Sequence, residues 1–313
     1  NTRFYVEVAG EDIKTSRNIR LHGDSFPDEL LDQGVYWYKR DDRTLVLSTY
    51  HLNEETSLSY YKEIEKFRPD YIHAYPSALS LLTKYFRAQN LKLSTSISKI
   101  FCDCETLLPF QRLDFESYYR CKVYNVYGHT EGSTLGITFP NSDNLFFPPV
   151  VGLMELLRPD GSVADGDGER GEIVVTGFNN RVFPFVRYHT GDIGINLNSV
   201  EPDTPNWTKI ETVQGRMQDF VVDSEGQLIA IGPALFDYNF DWSDIDRFQL
   251  TQSNVGHLVI KLVCSKKTIS SKNLISSRLN VVFNELFSGS IELDIEFVSE
   301  LEFTSVGKFR YLD

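Results

Sequence analysis

Hydrophobic and polar residues repeat along the middle of the chain in a pattern that predicts alternating helices and strands. Asn53 can cap a helix that continues to Phe67, since Glu54 and Glu55 suit the first turn and apolar residues recur on one face. The apolar run at residues 70–75 comes next and predicts a buried strand.

Two more strand–helix units follow. Pro76-Ser77 closes the first strand, and Ser77 is predicted to cap a helix over residues 78–88. Further strands are predicted at 97–102 and 122–126, with a helix between them that ends near Tyr119.

Three strands that alternate with two helices predict a parallel sheet. The carboxyl ends of parallel strands meet at one edge, which is where α/β proteins build their sites. We therefore expect the loops at residues 75–77, 103–105 and 127–131 to lie side by side.

The pattern changes after Pro140. Short apolar runs between turns rich in Gly, Pro and Asp predict an antiparallel or barrel-like portion; they lie at residues 145–157, 171–176, 183–188 and 193–197. The composition changes again near residue 215. Helical spacing at 270–286 lies between strand-like runs there, which predicts a small α+β domain. We place the large domain at residues 1–215 and the small domain at 216–313.

In residues 1–50, strand-like runs alternate with polar segments that predict turns. The strand-like runs lie at 3–8, 34–39 and 44–48. Arg17, Arg20, His22 and Asp24 cluster in a predicted loop, where a solvated charged face is the expected arrangement.

Composition narrows the classes of function. The 313 residues are 41% hydrophobic and 24% charged, and the formal net charge of -13 opposes nucleic acid or an anionic membrane as a partner. No apolar run approaches membrane-spanning length. We expect a cytoplasmic protein without membrane insertion.

The four cysteines are spaced neither as a disulfide framework nor as a paired zinc motif; they are Cys102, Cys104, Cys121 and Cys264. Thiols in a reducing cytoplasm are the expected state. An alternative is that Cys102-Asp103-Cys104 contributes to a metal site with a distant third ligand.

Candidate chemistry is concentrated in residues 127–132, directly after a predicted strand. The ring of Tyr127 can stack on a purine, Gly128 lets the backbone approach a ligand, and Thr130 with Glu131 offers oxygen ligands for Mg²⁺ on a phosphate. The alternative is a strand followed by a glycine turn and a capping threonine.

Four motifs in a fixed order give the chain a family resemblance. Residues 127–131, Tyr-His-Thr-Gly-Asp at 188–192, Gly215-Arg216 and Thr-Ser-Val-Gly-Lys at 304–308 together resemble the adenylate-forming enzymes. The nearest branch holds the phenylacetate-CoA ligases and proteins of capsular polysaccharide biosynthesis. Residues 20–24 and 47–52 also look like the capsule-associated group.

The resemblance implies an α/β fold: a large domain with parallel sheet layers and an antiparallel barrel-like portion, and a small mobile α+β C-terminal domain. It implies activation of a carboxylic acid by ATP and Mg²⁺ as an acyl adenylate, followed by transfer to CoA, a carrier-protein thiol or a sugar amine. The alternative is a non-catalytic nucleotide-binding or scaffold protein in capsule assembly.

The same resemblance assigns roles to nucleotide-site residues. Tyr127 is expected to stack on adenine, Thr130 to contact the α-phosphate and Glu131 to hold Mg²⁺. The ribose is assigned to Asp192 and Arg216, since a carboxylate has two acceptor oxygens for its hydroxyls.

Lys308 is the expected catalytic lysine, because one ammonium can bridge the phosphate and the attacking carboxylate. Asp103, Cys104 and Glu105 occupy the adenine-edge segment of the family, and helix capping is the alternative for them.

The acid pocket is assigned by analogy to His73, Tyr75, Pro76 and His129. A histidine at position 129 favours a polar or anionic acid. Simple packing accounts equally well for Tyr75 and His73.

The chain departs from the family pattern in three places. The Gly/Ser/Thr-rich loop that holds the β- and γ-phosphates is absent and is expected upstream of Asn1. Gln218 stands where Asp or Lys is common, and residues 227–237 lack the glycine-rich segment of the CoA tunnel. Adenylation is therefore better supported than transfer to CoA.

Overall fold

The structure is a computed structural model that describes residues 8–12, 14–216, 220–226, 228–230, 240, 242, 244–264 and 272–301. The helices within this part of the chain are α1 (Asp28–Asp32), α2 (Glu54–Phe67), α3 (Pro76–Ala88), α4 (Pro109–Tyr119) and α5 (Lys272–Phe287). Its residues fall into two compact units that divide between Val213 and Gln214.

Most strands of the first unit belong to one 12-stranded sheet. They are β1 (Asn18–Leu21), β2 (Trp37–Asp41), β3 (Thr44–Leu47), β4 (Tyr71–Ala74), β5 (Lys99–Asp103), β6 (Lys122–Gly128), β7 (Leu135–Thr138), β8 (Leu145–Phe147), β9 (Gly152–Leu157), β10 (Arg170–Gly177), β11 (Tyr188–Asn196) and β12 (Thr208–Arg216). Their order across the sheet is β2-β3-β1-β4-β5-β6-β7-β8-β12-β11-β10-β9.

The predicted parallel sheet is confirmed. β1, β4, β5 and β6 run parallel in adjacent positions, and one row of the sheet contains Ile19, Ile72, Ile100 and Val123. These four side chains are at most 1% exposed. Helices α2, α3 and α4 contribute to the same core, which fixes the register of the strands.

Helix α2 begins as its sequence predicts. The Asn53 side chain accepts hydrogen bonds from the backbone N–H groups of Glu55 and Thr56, and the Thr56 hydroxyl accepts one from the Asn53 N–H. This reciprocal capping satisfies N–H groups that would otherwise lack partners.

Helix α3 begins two residues earlier than predicted. Pro76 occupies the first turn and Tyr75 is the N-cap, without a side-chain capping bond. Proline suits this position because it has no N–H to satisfy and its φ is already helical. Ser77 is therefore not the cap, as the sequence had suggested.

The antiparallel portion is also present, and it continues the parallel sheet from β6 through β7 and β8. The run at 145–157 is two strands, since Pro148 and Pro149 have no N–H for a sheet ladder. The strand predicted at 183–188 is wrong: Val182, Phe183 and Val186 lie exposed in the connection before β11.

The second unit has two small sheets. β13 (Phe220–Val222) pairs with β14 (Leu228–Ala230), and the other sheet has the order β15 (Ile245–Asn254), β16 (His257–Cys264) and β17 (Glu292–Phe297). Helix α5 shares their core through Ile275, Leu279 and Phe283. This arrangement is the α+β composition that the sequence predicts.

No helix among the described residues is long and apolar enough to cross a membrane. The cysteines are present as thiols, with Cys102 buried and Cys104 exposed.

Two glycines let the loop after β6 lie directly on the β9–β10 pair. A Cβ at Gly177 would lie 2.8 Å from the Cβ of Ser133. A Cβ at Gly152 would collide with the carbonyl oxygen of Ser133 and lie 2.6 Å from that of Thr176. The backbone that follows Glu131 therefore depends on the absence of a side chain at these positions.

We predict that Gly152→Ala lowers the free energy of unfolding of the first unit by about 1–3 kcal/mol, as expected for overpacking against rigid backbone. Urea unfolding followed by tryptophan fluorescence measures this change. The matched control is Gly166→Ala, whose new Cβ would meet the side chain of Glu169. Because that carboxylate can move aside, the control should cost less, and an equal cost in both variants would contradict the argument.

Candidate nucleotide and acid site

The three loops predicted to lie together do so. β4 and β5 are paired through Ala74 and Cys102, and β5 and β6 through Asp103 and Val126. The loops after these strands therefore leave the sheet at the same edge.

A carboxylate joins the first two of these loops. Glu105 accepts hydrogen bonds from the backbone N–H and from the hydroxyl of Ser77, each at 2.9 Å. This bidentate contact orients the first turn of α3 relative to the end of β5.

Tyr127 and Asp192 are brought together from positions 65 residues apart. The Tyr127 hydroxyl donates a hydrogen bond of 2.7 Å to Oδ2 of Asp192. The aromatic ring assigned to adenine, near the end of β6, and the carboxylate assigned to ribose, in the middle of β11, are thus neighbours.

Asp192 is held in place by its own strand. The Thr190 hydroxyl donates to the Ile173 carbonyl at 2.7 Å, and the Asp192 N–H donates to Thr190 Oγ1 at 3.1 Å. On the same strand, Gly191 adopts a left-handed φ of 74°. This conformation is accessible to glycine without steric cost.

Glu131 is bound by two side chains of the site. Tyr188 donates its hydroxyl proton to Oε1 at 2.9 Å, and His129 Nδ1 lies 3.0 Å from Oε2. The Glu131 backbone N–H and these two groups lower the pKa of its carboxyl against the opposing effect of burial. Glu131 is therefore ionised, and His129 must carry its proton on Nδ1 to donate to it.

The other ring nitrogen of His129, Nε2, is buried and has no hydrogen-bond partner among the described residues. Thr130 and Gly128, by contrast, are exposed. The loop therefore presents an accessible hydroxyl and open backbone beside an oriented imidazole.

Asp103 is turned towards two histidines. Its Oδ1 lies 2.7 Å from His22 Nε2 and its Oδ2 lies 2.9 Å from His73 Nε2. The His22 ring also packs edge-to-face on Tyr75, with ring centroids 4.6 Å apart.

The charges in this cluster follow from burial and pairing. Burial lowers the pKa of His22 to about 4, because a charged imidazole loses its hydration there, and the bond to Asp103 opposes this shift only in part. Burial alone would raise the pKa of Asp103, but attraction to His73 and the two imidazole hydrogen bonds lower it below its ordinary value. Near neutral pH, Asp103 is a carboxylate and His22 is neutral.

The adenine-edge segment has an unusual backbone. Cys104 adopts a φ of 66°, in the left-handed region that favours glycine. This turn separates Asp103, which faces the histidines, from Glu105, which faces Ser77. The proposed role of the segment in adenine binding stays a prediction.

Two of the predicted site residues cannot be placed with the others. Lys308 lies outside the described residues, and Arg216 is the last residue of β12 with no described side chain. Their roles in catalysis and ribose binding also stay predictions.

Sequence reasoning missed two members of the site. His22 was expected on a solvated face, but its side chain is 2% exposed and contacts Asp103. Its position directly after β1 was the available signal. Tyr188 belongs to the Tyr-His-Thr-Gly-Asp motif, but its contact with Glu131 spans 57 residues and is not readable from local pattern.

The fold defined by these elements is that of the adenylate-forming ligases. The chain matches 2-hydroxyisobutyryl-CoA ligase in the postadenylation state, in complex with R3-HIB-AMP, with a TM-score of 0.71 and 15% identity over 99% of this chain and 67% of that chain. It also matches the anthranilate CoA ligase AuaEII in complex with anthranoyl-AMP, with a TM-score of 0.63 and 15% identity over 98% and 59% of the two chains. A third match is the amide bond synthetase McbA of Marinactinospora thermotolerans, with a TM-score of 0.61 and 15% identity over 96% and 62%.

In sequence, the chain is similar to protein CapK of Staphylococcus aureus. The two are 27% identical over 280 residues, which cover 88% of this chain and 60% of CapK. The chain thus spans about 60% of the length of this curated relative. No family model matches the sequence.

We predict a measurable coupling between Ser77 and Glu105, because both oxygens of the carboxylate bind the serine. A double-mutant cycle with Ser77→Ala and Glu105→Ala should give a coupling energy of about 1–2 kcal/mol in urea unfolding. The control cycle uses Arg87 and Asp114, an ion pair whose side chains are 45% and 42% exposed. Solvent screening should keep that coupling below about 0.5 kcal/mol. A Ser77–Glu105 coupling no larger than the control would mean that the two loops are not joined.

Proposed function

We propose that this chain carries the nucleotide- and acid-binding part of an enzyme that activates a carboxylic acid as its acyl adenylate. The proposal rests on the pairing of Tyr127 with Asp192 at the carboxyl edge of a sheet with the adenylate-forming fold. Residues 1–215 are the proposed large domain, and residues 216–313 the mobile domain that brings Lys308 to the reacting phosphate.

The residues fit an adenosine monophosphate. The Tyr127 ring supplies an aromatic face for the base, and Asp192, 2.7 Å from the hydroxyl of the same side chain, supplies acceptor oxygens for the ribose. Asp192 is fixed by Thr190 before any ligand binds, which reduces the ordering cost of binding.

The residues also fit Mg²⁺ near the phosphates. Glu131 is ionised and pre-oriented by Tyr188 and His129, and hard carboxylate oxygens suit this ion. When bound, Mg²⁺ supplies positive charge for the phosphate oxygens. In the proposed role, Glu131 exchanges part of its contact with Tyr188 and His129 for the ion, and Thr130 offers its exposed hydroxyl to the α-phosphate.

His129 supports a polar acid as the substrate. Its Nδ1 is held by Glu131, which fixes the direction of the ring, and its Nε2 has no partner among the described residues. A polar or anionic group on the acid is the proposed partner of this ring. Tyr75, Pro76 and His73 complete the proposed pocket.

The acyl acceptor is proposed from the relatives. Two of the matched structures are CoA ligases and one is an amide bond synthetase, so a thiol and an amine are both represented. Similarity to CapK and the missing glycine-rich segment at 227–237 favour an amine or carrier acceptor in capsule-related metabolism over CoA itself.

We predict that Asp192→Asn weakens AMP binding about tenfold or more. The substitution removes the charge from the hydrogen bonds to ribose, a loss of about 1.5–3 kcal/mol. Isothermal titration calorimetry on the chain measures the affinity. The control is Asp165→Asn, whose side chain is 84% exposed in the same unit. Equal AMP affinities for both variants and the wild type would contradict the ribose assignment.

We predict that Lys308→Ala slows acid-dependent exchange of labelled pyrophosphate into ATP by at least about a hundredfold. The assay uses a form of the protein that contains the phosphate loop, together with a broad panel of acids. Lys14→Ala is the lysine control, since the Lys14 side chain is exposed. Full exchange in Lys308→Ala would remove the lysine from catalysis, and no exchange by the wild type with any acid would favour the scaffold alternative.

A further inference from the structure

Two imidazoles and one carboxylate converge beside the proposed pocket in a way that nucleotide binding does not explain. We infer that His22, His73 and Asp103 form a binding site for a divalent transition metal of the Zn²⁺ class. This site is independent of the proposed Mg²⁺ position at Glu131 and does not rest on the adenylation reaction.

The sheet register places all three side chains on one face. Leu21 pairs with Ala74, and Ala74 pairs with Cys102. The next residue along each chain segment is His22, Tyr75 and Asp103, so these three share a row. His73 precedes Tyr75 by two positions and points to the same face, because side chains along a strand alternate.

The three donors lie at the spacing that a metal requires. The ligand atoms of His22, His73 and Asp103 all lie within 4.8 Å of one another. Zn²⁺ binds nitrogen and oxygen at about 2.0–2.2 Å, so neighbouring ligands around it are separated by about 3 Å. The observed N···O distances of 2.7 and 2.9 Å are close to this value. An ion can therefore replace the two Nε2 protons with small side-chain shifts.

The donor set selects the kind of metal. Two histidines and one carboxylate are a recurrent set for Zn²⁺ and for Fe²⁺, whereas Mg²⁺ and Ca²⁺ prefer oxygen alone. When an ion takes Nε2 of His22, the proton of the neutral imidazole lies on Nδ1.

A purely structural role leaves the cost of this cluster unexplained. His22 is almost fully buried, and its Nδ1 has no hydrogen-bond partner among the described residues. Burying polar groups with incomplete pairing costs stability, and apolar residues would fill the same space more favourably. A metal ion bound by the three side chains would offset the cost of burying the Asp103 charge and the two imidazoles, while Nδ1 of His22 would stay without a partner among the described residues.

The cluster is also accessible from one side. The side chain of Asp103 is 19% exposed, whereas those of His22 and His73 are 2% and 8% exposed. An ion would enter over the carboxylate, and its remaining coordination positions would face that opening. A metal held by three protein ligands with an open side can accept a water molecule or a substrate atom.

The decisive measurement titrates the metal-stripped chain with Co²⁺, a spectroscopic substitute for Zn²⁺, in the absence of nucleotide and acid. We expect visible d–d absorption that saturates at one equivalent and is displaced by Zn²⁺. Zn²⁺ should raise the thermal midpoint of the wild type, because it binds the folded state selectively. Folded wild-type protein that gives no such absorption at saturating Co²⁺ would overturn the inference without any variant.

Variants then locate the ion. His22→Gln, His73→Gln and Asp103→Asn should each weaken Zn²⁺ binding by at least about a hundredfold, more than the loss of an outer-shell contact. The matched control is His257→Gln, which removes a histidine 3.0 Å from Asp294. A second control, Glu131→Gln, removes the proposed Mg²⁺ ligand. Both controls should keep wild-type Zn²⁺ affinity. If Asp103→Asn is folded by circular dichroism and binds Zn²⁺ as tightly as the wild type, the three side chains form a hydrogen-bonded triad and not a metal site.

Discussion

The site depends on the parallel alignment of β1, β4, β5 and β6, because this alignment brings the loops that follow these four strands to one edge. The alignment is held by the buried row of Ile19, Ile72, Ile100 and Val123, where each side chain contributes about 1.5–3 kcal/mol by leaving water. A single polar contact at the edge contributes about 1 kcal/mol. The core therefore determines which loops meet, and the hydrogen bonds only determine how their side chains are oriented once they have met.

The carboxylates at this edge share an electrostatic design. Asp192 accepts from a tyrosine, Glu131 from a tyrosine and an imidazole, and Glu105 from a serine. Hydroxyl donors orient a carboxylate without cancelling its charge. In a chain of net charge -13, such groups keep the edge attractive to cations and to hydrogen-bond donors. An anionic nucleotide would then depend on Mg²⁺ and on lysine or arginine from elsewhere in the protein, which agrees with the roles proposed for Glu131 and Lys308.

Sequence pattern predicted the elements whose causes are local. Helix α2 was readable from Asn53 and its following glutamates, and the order of β4, β5 and β6 from alternating periodicity. The contacts that the sequence pattern could not predict join residues that are far apart in the chain. The His22–Asp103 contact spans 81 residues, and the burial of His22 depends on where β1 inserts beside β4. The strand prediction before β11 was wrong because the aromatic and aliphatic residues of this segment are typical of a strand. Pro184, however, has no N–H to donate to a neighbouring strand.

Cys104 shows why side-chain identity alone is a poor guide to the adenine-edge segment. In an extended strand, Asp103 and Glu105 would point to the same face, but the left-handed φ of Cys104 interrupts that alternation. One carboxylate then binds the two histidines, and the other binds Ser77. With both carboxylates engaged in this way, Cys104 is the exposed residue between them. The two acidic residues therefore fix the path of the backbone on either side of Cys104.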